Sequence, residues 1–264
     1  MTEARQPGEA RRLAARFWRC PARRAVQMVC LWLVPLAGGA PGLAAQEPAD
    51  PVILSAQFAD PTDRYPHGVL GDKIEYGALA LRLSDGRVLH YSLPRSLVFE
   101  DSAPRLVDLD HDGAPEVIVV ESSLSRGARL SVWGAAGRIT ATPHIGQAYR
   151  WLAPVGAADL DGDGAIEIAY VDRPHLARTL RIWRYQHGRL HEVAEAPDVS
   201  NHQIGWPRIA GGIAECPGAA PRMIVADGAW QDVLALQLLP GGRVTRQRLG
   251  PYAGPESLTA AMRC

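Results

Sequence analysis

Between residues 52 and 250 the hydrophobic positions come in short bursts of five to eight residues, many with strict apolar/polar alternation, separated by Gly, Pro and Asp clusters. Alternation of this kind predicts half-buried β-strands, and unbroken runs such as Val117-Ile118-Val119-Val120 predict strands covered on both faces. One stretch shows the order plainly. Leu152–Ala158 is a strand, 159–167 a polar loop, Glu167–Asp172 a second strand, Thr179–Trp183 a third, and Leu190–Ala194 a fourth reached through a Gly-Arg turn. Helical periodicity is missing from this region, except that Ser257 to Met262 can form one turn of helix.

The pattern repeats. Gly-Arg-aliphatic tripeptides stand at Gly86-Arg87-Val88, Gly137-Arg138-Ile139, Gly188-Arg189-Leu190 and Gly242-Arg243-Val244, at intervals of 51, 51 and 54 residues. Each follows an alternating apolar stretch, as a third strand turning into a fourth requires. Four-stranded antiparallel units of this length are propeller blades, and a blade with two apolar faces must stack against neighbours. The expected fold is therefore all-β: a small β-propeller with units near 52–93, 104–142, 152–196 and 207–249, in one domain over 46–264. Four blades account for the chain, or five if an extra strand pair completes the ring.

Two of the units carry nearly the same acidic loop, 51 residues apart: Asp108-Leu-Asp110-His-Asp112-Gly113-Ala114-Pro115-Glu116 and Asp159-Leu-Asp161-Gly-Asp163-Gly164-Ala165-Ile166-Glu167. Carboxylates at positions 1, 3, 5 and 9, with a Gly for the sharp turn, can converge on a hard cation that takes six or more oxygens. Without a cation their mutual repulsion would raise several pKa values. Calcium fits best and Mg2+ less well; solvated Asp-Gly turns are the alternative. An EF-hand is excluded, because position 12 is Val119 in one loop and Tyr170 in the other and strands, not helices, flank both.

Asp-x-Asp-x-Asp-Gly-x-x-Glu loops between two strands resemble those of the FG-GAP and VCBS repeats, the calcium-loop propeller blades also found in integrin α-chain heads. The resemblance implies two calcium sites, held by Asp108, Asp110, Asp112, the Ala114 carbonyl and Glu116, and by Asp159, Asp161, Asp163, the Ala165 carbonyl and Glu167. Departures are visible: residues 46–264 contain no Phe-Gly, and their one Gly-Ala-Pro falls inside the first loop. At the matching places unit one has Gln57, Ala59, Pro61 and Tyr65, and unit four has Ile213, Glu215, Pro217 and Pro221, so neither is expected to bind a cation.

Residues 1–45 read as an export signal. Seven arginines precede an apolar run from Met28 to Ala37, and small residues lead to a cleavage point after Ala44 or Ala45. The run is short for a membrane span, although an uncleaved anchor is the other reading. Removing 1–45 turns 28 basic and 28 acidic residues into 21 and 26, a mildly acidic domain with no basic stripe for nucleic acid. It also leaves only Cys216 and Cys264, which an oxidising compartment would pair, with Cys216 in the unit-four loop that lacks metal ligands. The expected location is periplasmic or secreted, in a bacterium.

No Gly-x-Ser-x-Gly elbow and no His-Glu-x-x-His motif occurs. His111, His187 and His191 are expected at the surface. The end of the blades opposite the acidic loops gathers aromatic and ionic residues: His144, Tyr149, Arg150 and Trp151; Asp172, Arg173 and His175; His202, Trp206 and Arg208; and Trp230. Such a mixture suits a protein or polysaccharide ligand. The leading reading is an exported, calcium-stabilised, non-enzymatic binding module. A propeller hydrolase or lyase, with Arg150, His144, His202 and Asp172 meeting in a central mouth, is one alternative, and a purely structural envelope or adhesion component is another.

Overall fold

A computed structural model describes residues 50–264; the expected leader, 1–45, lies outside the described residues. The chain forms β1 (Ile53–Thr62), β2 (Glu75–Leu83), β3 (Val88–Ser92), β4 (Leu97–Phe99), β5 (Arg105–Val107), β6 (Glu116–Ser123), β7 (Gly127–Gly134) and β8 (Gly137–Ala141). It continues with β9 (Leu152–Ala158), β10 (Glu167–Asp172), β11 (Thr179–Gln186), β12 (Arg189–Ala196), β13 (Val199–Ser200), β14 (Gly212–Ala214), β15 (Arg222–Asp227), β16 (Asp232–Leu239), β17 (Arg243–Pro251) and one helix, α1 (Pro255–Ala261). All strand pairs are antiparallel, and the result is a small, propeller-like all-β fold. The four Gly-Arg tripeptides lie at the turns between β2 and β3, β7 and β8, β11 and β12, and β16 and β17.

The stacking follows from alternation in the middle strands. On β6, Ile118 and Val120 pack with Leu152, Ile168 and Tyr170 of the third unit, whereas Val117 and Val119 pack with Leu79, Leu81 and Phe99 on the other side. On β10, Ile168 and Tyr170 face the second unit, and Ala169 and Val171 face Met223, Val225 and Leu236 of the fourth. Period-two side chains on a strand with no polar face thus enforce a sheet on either side of it. The outermost faces differ. The fourth unit is covered by α1, whose Leu258 is buried against Ile224, Ala226 and Ala235. The first presents Ser55, Gln57, Arg82 and Val88 to solvent. Units one and four meet where Val69 and Leu70 of the first and Ile209 of the fourth join the cluster between units two and three, and a loop bridges the same place through the Gly205 N–H donating to the Val69 carbonyl at 2.9 Å.

The inner strands depart most from the repeat. The third unit has a full one, β9, bent by a bulge opposite Ala169 and Tyr170. In the second unit β5 and β4 share one edge of β6, and in the fourth β14 and β13 share one edge of β15. These inner strands therefore begin at Leu97 and Val199, upstream of the expected unit starts near 104 and 207. Each is broken by an excursion. Residues 100–104 carry Asp101, whose Oδ2 accepts the Val120 N–H at 3.1 Å in place of a backbone carbonyl, and residues 201–211 carry His202, Ile204, Trp206 and Arg208. Unit one has three strands of its own, β1 to β3. Gln57, Ala59 and Pro61 lie on β1, not in a loop, because Ala56 and Phe58 alternate with polar neighbours and pack into the core. β4 pairs with both β2 and β6, so units one and two form a single eight-stranded sheet.

The Cys216–Cys264 disulfide fastens the segment after α1 to the loop between β14 and β15, with Cα atoms 5.5 Å apart. Closing a span of 48 residues stabilises by about 4 kcal/mol in the chain-entropy view. Cys264→Ser should therefore cost about 2–4 kcal/mol, and a denaturant midpoint equal to wild type would refute it. A second measurable consequence sits at the start of β2. Burial pushes the Glu75 carboxyl up to about 9, with the negative charges of Glu100, Asp72 and Asp101 adding to the shift. The folded state holds a proton that the unfolded chain releases near 4.5, so stability falls as pH climbs between those values and levels off above the upper one. Glu75→Gln should be the more stable protein by on the order of 2 kcal/mol at pH 7, with the gap widening from pH 5 to 9 in paired thermal melts.

Candidate functional site

Each acidic loop is shaped by its own backbone amides. In the first, the Gly113 N–H donates to Asp108 Oδ2 (3.0 Å), Ala114 N–H to Asp112 Oδ1 (2.7 Å) and Leu109 N–H to Glu116 Oε2 (2.9 Å). The second repeats these bonds one for one: Gly164 to Asp159 Oδ2 (3.0 Å), Ala165 to Asp163 Oδ1 (2.9 Å) and Leu160 to Glu167 Oε2 (2.9 Å). Gly113 and Gly164 hold φ of 86° and 91°, a left-handed turn that lets the acidic side chains fold back over the loop. Carboxylate oxygens of Asp108, Asp110 and Glu116 come within 4.8 Å of one another, as do those of Asp159, Asp161 and Glu167. Asp112 and Asp163, both exposed, stand outside these tight groups and serve the Ala114 and Ala165 amides. The loops touch through His111, exposed as expected, whose Nε2 lies 3.0 Å from the Gly164 carbonyl oxygen.

The donor set fits a hard divalent cation. It is all oxygen, and Asp108 Oδ1 and Asp161 Oδ1 are buried with no hydrogen-bond partner. Burial raises the Glu116 carboxyl above its ordinary value, and the charges of Asp110 and Asp112 push in the same direction. Glu167 is raised by burial as well, although hydrogen bonds from Leu160 and Arg184 oppose it.

The opposite ends of the same strands carry the aromatic and ionic residues, and the structure sorts these into separate places. Tyr149 and Arg150 line a cavity of about 200 Å³ with His67, Trp151, Arg173, His175, Leu176 and Ile204. His144 and Asp172 line a second, of about 190 Å³, with Tyr170, Arg181 and Glu192. Trp206 and Arg208 border a third with Pro207 and Pro255, and Trp230 packs edge-on between Trp206 and Tyr252, with ring centroids 5.4 and 5.0 Å away. Two expected face residues are buried instead. His202 is 0% exposed, and Asp172, 4% exposed, accepts hydrogen bonds from Arg173 and Arg181 that compensate its charge. Of the quartet expected for a hydrolase or lyase, Arg150 thus lines one cavity and His144 and Asp172 another, with Arg173 bordering both, and His202 is buried against Trp151 and His175 of the first.

Around the first cavity, buried groups fix the polarity of the rings. The Trp206 carbonyl can only accept, so His202 Nε2–H donates to it (2.9 Å), leaving Nδ1 to accept from His175 Nε2–H (3.0 Å). His175 Nδ1 is left as a lone pair, and the ring stays neutral because burial, with His202 and His67 nearby, lowers its pKa to about 4. His67 Nδ1 lies 2.5 Å from Oε1 of Glu100, which is wholly buried and also accepts from the Ser122 hydroxyl. Tyr149 stacks on Tyr65 at 4.8 Å and 10°, and its N–H donates to the Tyr65 hydroxyl at 2.6 Å. Tyr149 and Arg173 both hold left-handed φ, 54° and 46°, a strained backbone of the sort that persists at binding sites. Sequence reasoning missed Tyr65, His67, Glu100, Leu176 and Ile204; the one available signal was the Glu100-Asp101 pair directly after the apolar Leu97-Val98-Phe99.

No curated protein matches the chain significantly. A family model does match, that of the FG-GAP-like repeat, over residues 108–170. That span opens at the first Asp of the first acidic loop and ends on the strand that follows the second. The middle of this domain, with both acidic loops and the strands between them, is therefore similar to the FG-GAP-like repeat.

Proposed function

We propose that the domain is an exported, calcium-braced binding module that takes a protein or polysaccharide ligand at the end of the blades opposite the acidic loops. The observation that carries the ligand site is the cavity between Tyr149, Arg150, Arg173 and His175. Its lining includes His175, whose Nδ1 is left as a lone pair, and Arg150, whose one guanidinium bond among the described residues is to the Tyr149 carbonyl. Its rim is apolar, with Leu176 59% and Ile204 71% exposed. Apolar contact around a few fixed polar groups is what a recognition pocket uses. No helix among the described residues is long and apolar enough to cross a membrane. The disulfide and the arginine-led, apolar start of the sequence support a periplasmic or secreted location.

Calcium would be held by Asp108, Asp110 and Glu116 and by their counterparts Asp159, Asp161 and Glu167, where it neutralises charge that otherwise opposes folding. At ten times its dissociation constant a bound ion adds about 1.4 kcal/mol, or roughly 3–5 °C in Tm for a domain of this size. Melts with calcium and with a chelator should differ by that amount; coincident melts would end the calcium reading. For the ligand face, wild type and an Arg150→Ala/Ile204→Ala double variant should be compared on glycan arrays and in pull-downs from envelope extract. Capture by wild type that falls at least about tenfold in the variant, but survives His111→Ala at the other end, is the expected outcome. Equal capture by all three proteins would place the site elsewhere.

A further inference from the structure

The two acidic loops, so alike in sequence and backbone, are not equivalent, and the cause lies outside both. Glu167 pairs across the sheet with Arg184 on β11. The Arg184 guanidinium reaches all three nearby acids: Nε to Glu167 Oε1 (2.6 Å), one terminal nitrogen to Asp161 Oδ2 (2.9 Å) and the other to Asp163 Oδ2 (2.7 Å). Backbone amides use the rest. Asp159 accepts from Gly162 and Gly164, Asp163 Oδ1 from Ala165, and Glu167 Oε2 from Leu160. Asp161 Oδ1 remains, buried and alone.

In the second unit the matching strand position, one step beyond the Val117–Trp133 pair, is Gly134. Among the described residues no guanidinium enters the first loop. Among the described residues Asp108 Oδ1, both Asp110 oxygens, Asp112 Oδ2 and Glu116 Oε1 have no donor, and the nearby Arg138 is drawn away to buried Glu121. An arginine fork that spans three carboxylates supplies the positive charge and the directed bonds that a divalent ion would otherwise supply.

We infer that Arg184 is a built-in counter-cation for the second loop, so that loop 108–116 is the tight calcium site and loop 159–167 binds calcium only by displacing the guanidinium. Displacement has room to occur, since Arg184 and Asp161 border a cavity of about 230 Å³ with Val193, Leu238, Gly241 and Gly242. Each ion entering the second loop must break three charge-assisted bonds, whereas the first loop offers its oxygens free. The arrangement also keeps the third unit braced when calcium is scarce.

This inference rests on the calcium reading, and calorimetric titration of the intact domain with calcium separates the two. Wild type should bind one ion tightly and a second at least about tenfold more weakly, a gap of about 1.4 kcal/mol. Arg184→Gln, which removes the guanidinium and its charge but leaves an unbranched polar side chain, should bring the second affinity up to the first. Asp110→Asn should remove the tight ion and Asp161→Asn should leave it, an assignment that holds even if the arginine variant folds poorly. Gly134→Arg, whose added Cβ would meet only the flexible Ile139 side chain at 3.1 Å, should weaken the first site. Two equal sites in wild type, or loss of the tight ion on Asp161→Asn alone, would overturn the inference and leave the calcium reading standing. No binding by wild type or by Arg184→Gln would overturn both.

Discussion

The fold hangs on middle strands that have no polar face. β6 is buried along its whole length and so is β10, and a strand of that kind is stable only between two other sheets. Everything else is arranged around this requirement. Units two and three satisfy each other, the first unit caps one side, and the fourth takes the other. The fourth then has an apolar face of its own left over, and α1 covers it. The polar outer face of the first unit needs no such cover, which is why the only helix stands at the end of the described chain.

Charge is handled by the same strands. The acid that opens each middle strand, Glu116 or Glu167, belongs to a loop cluster, and the acid near its close, Glu121 or Asp172, is buried and answered by arginines. Glu121 and Asp172 are as far apart in sequence as the two loops are, so the repeat contains a second acidic position beside the conspicuous one. Buried carboxylates met by planar guanidinium forks are costly to leave unpaired, and this ties β7 and β8 to β6 in the second unit and β11 to β10 in the third.

Strand order and hairpin turns were legible because they rest on local periodicity: apolar alternation before each Gly-Arg turn, and carboxylates at fixed loop spacing. The inner strands were not. Glu100 to Pro104 and Asn201 to Gly211 interrupt them without any period, and their side chains acquire meaning only from partners far away in sequence, as His67 does from Glu100 or Asn201 from the Ala153 carbonyl. His202 read as a surface residue because a polar residue among turn formers usually is one; its burial depends on Trp151 and His175 packing around it. Arg184 was equally invisible, since on β11 it reads as the polar half of an alternation. Its role comes from the cross-strand pair with Glu167, a relation that sequence spacing does not encode.

β4 has one further consequence. Three residues long, it forms part of the second unit's inner edge and also pairs with β2 of the first unit. Repeat proteins grow and shrink by copying or deleting whole units, and a clean cut needs a border where no strand is shared. Between units three and four such a border exists, because their sheets are separate. Between units one and two it does not: a deletion there would strip the neighbour of half its inner edge. The first two units are in effect one fused structural module, and a border that cuts no sheet lies on the other side of the domain.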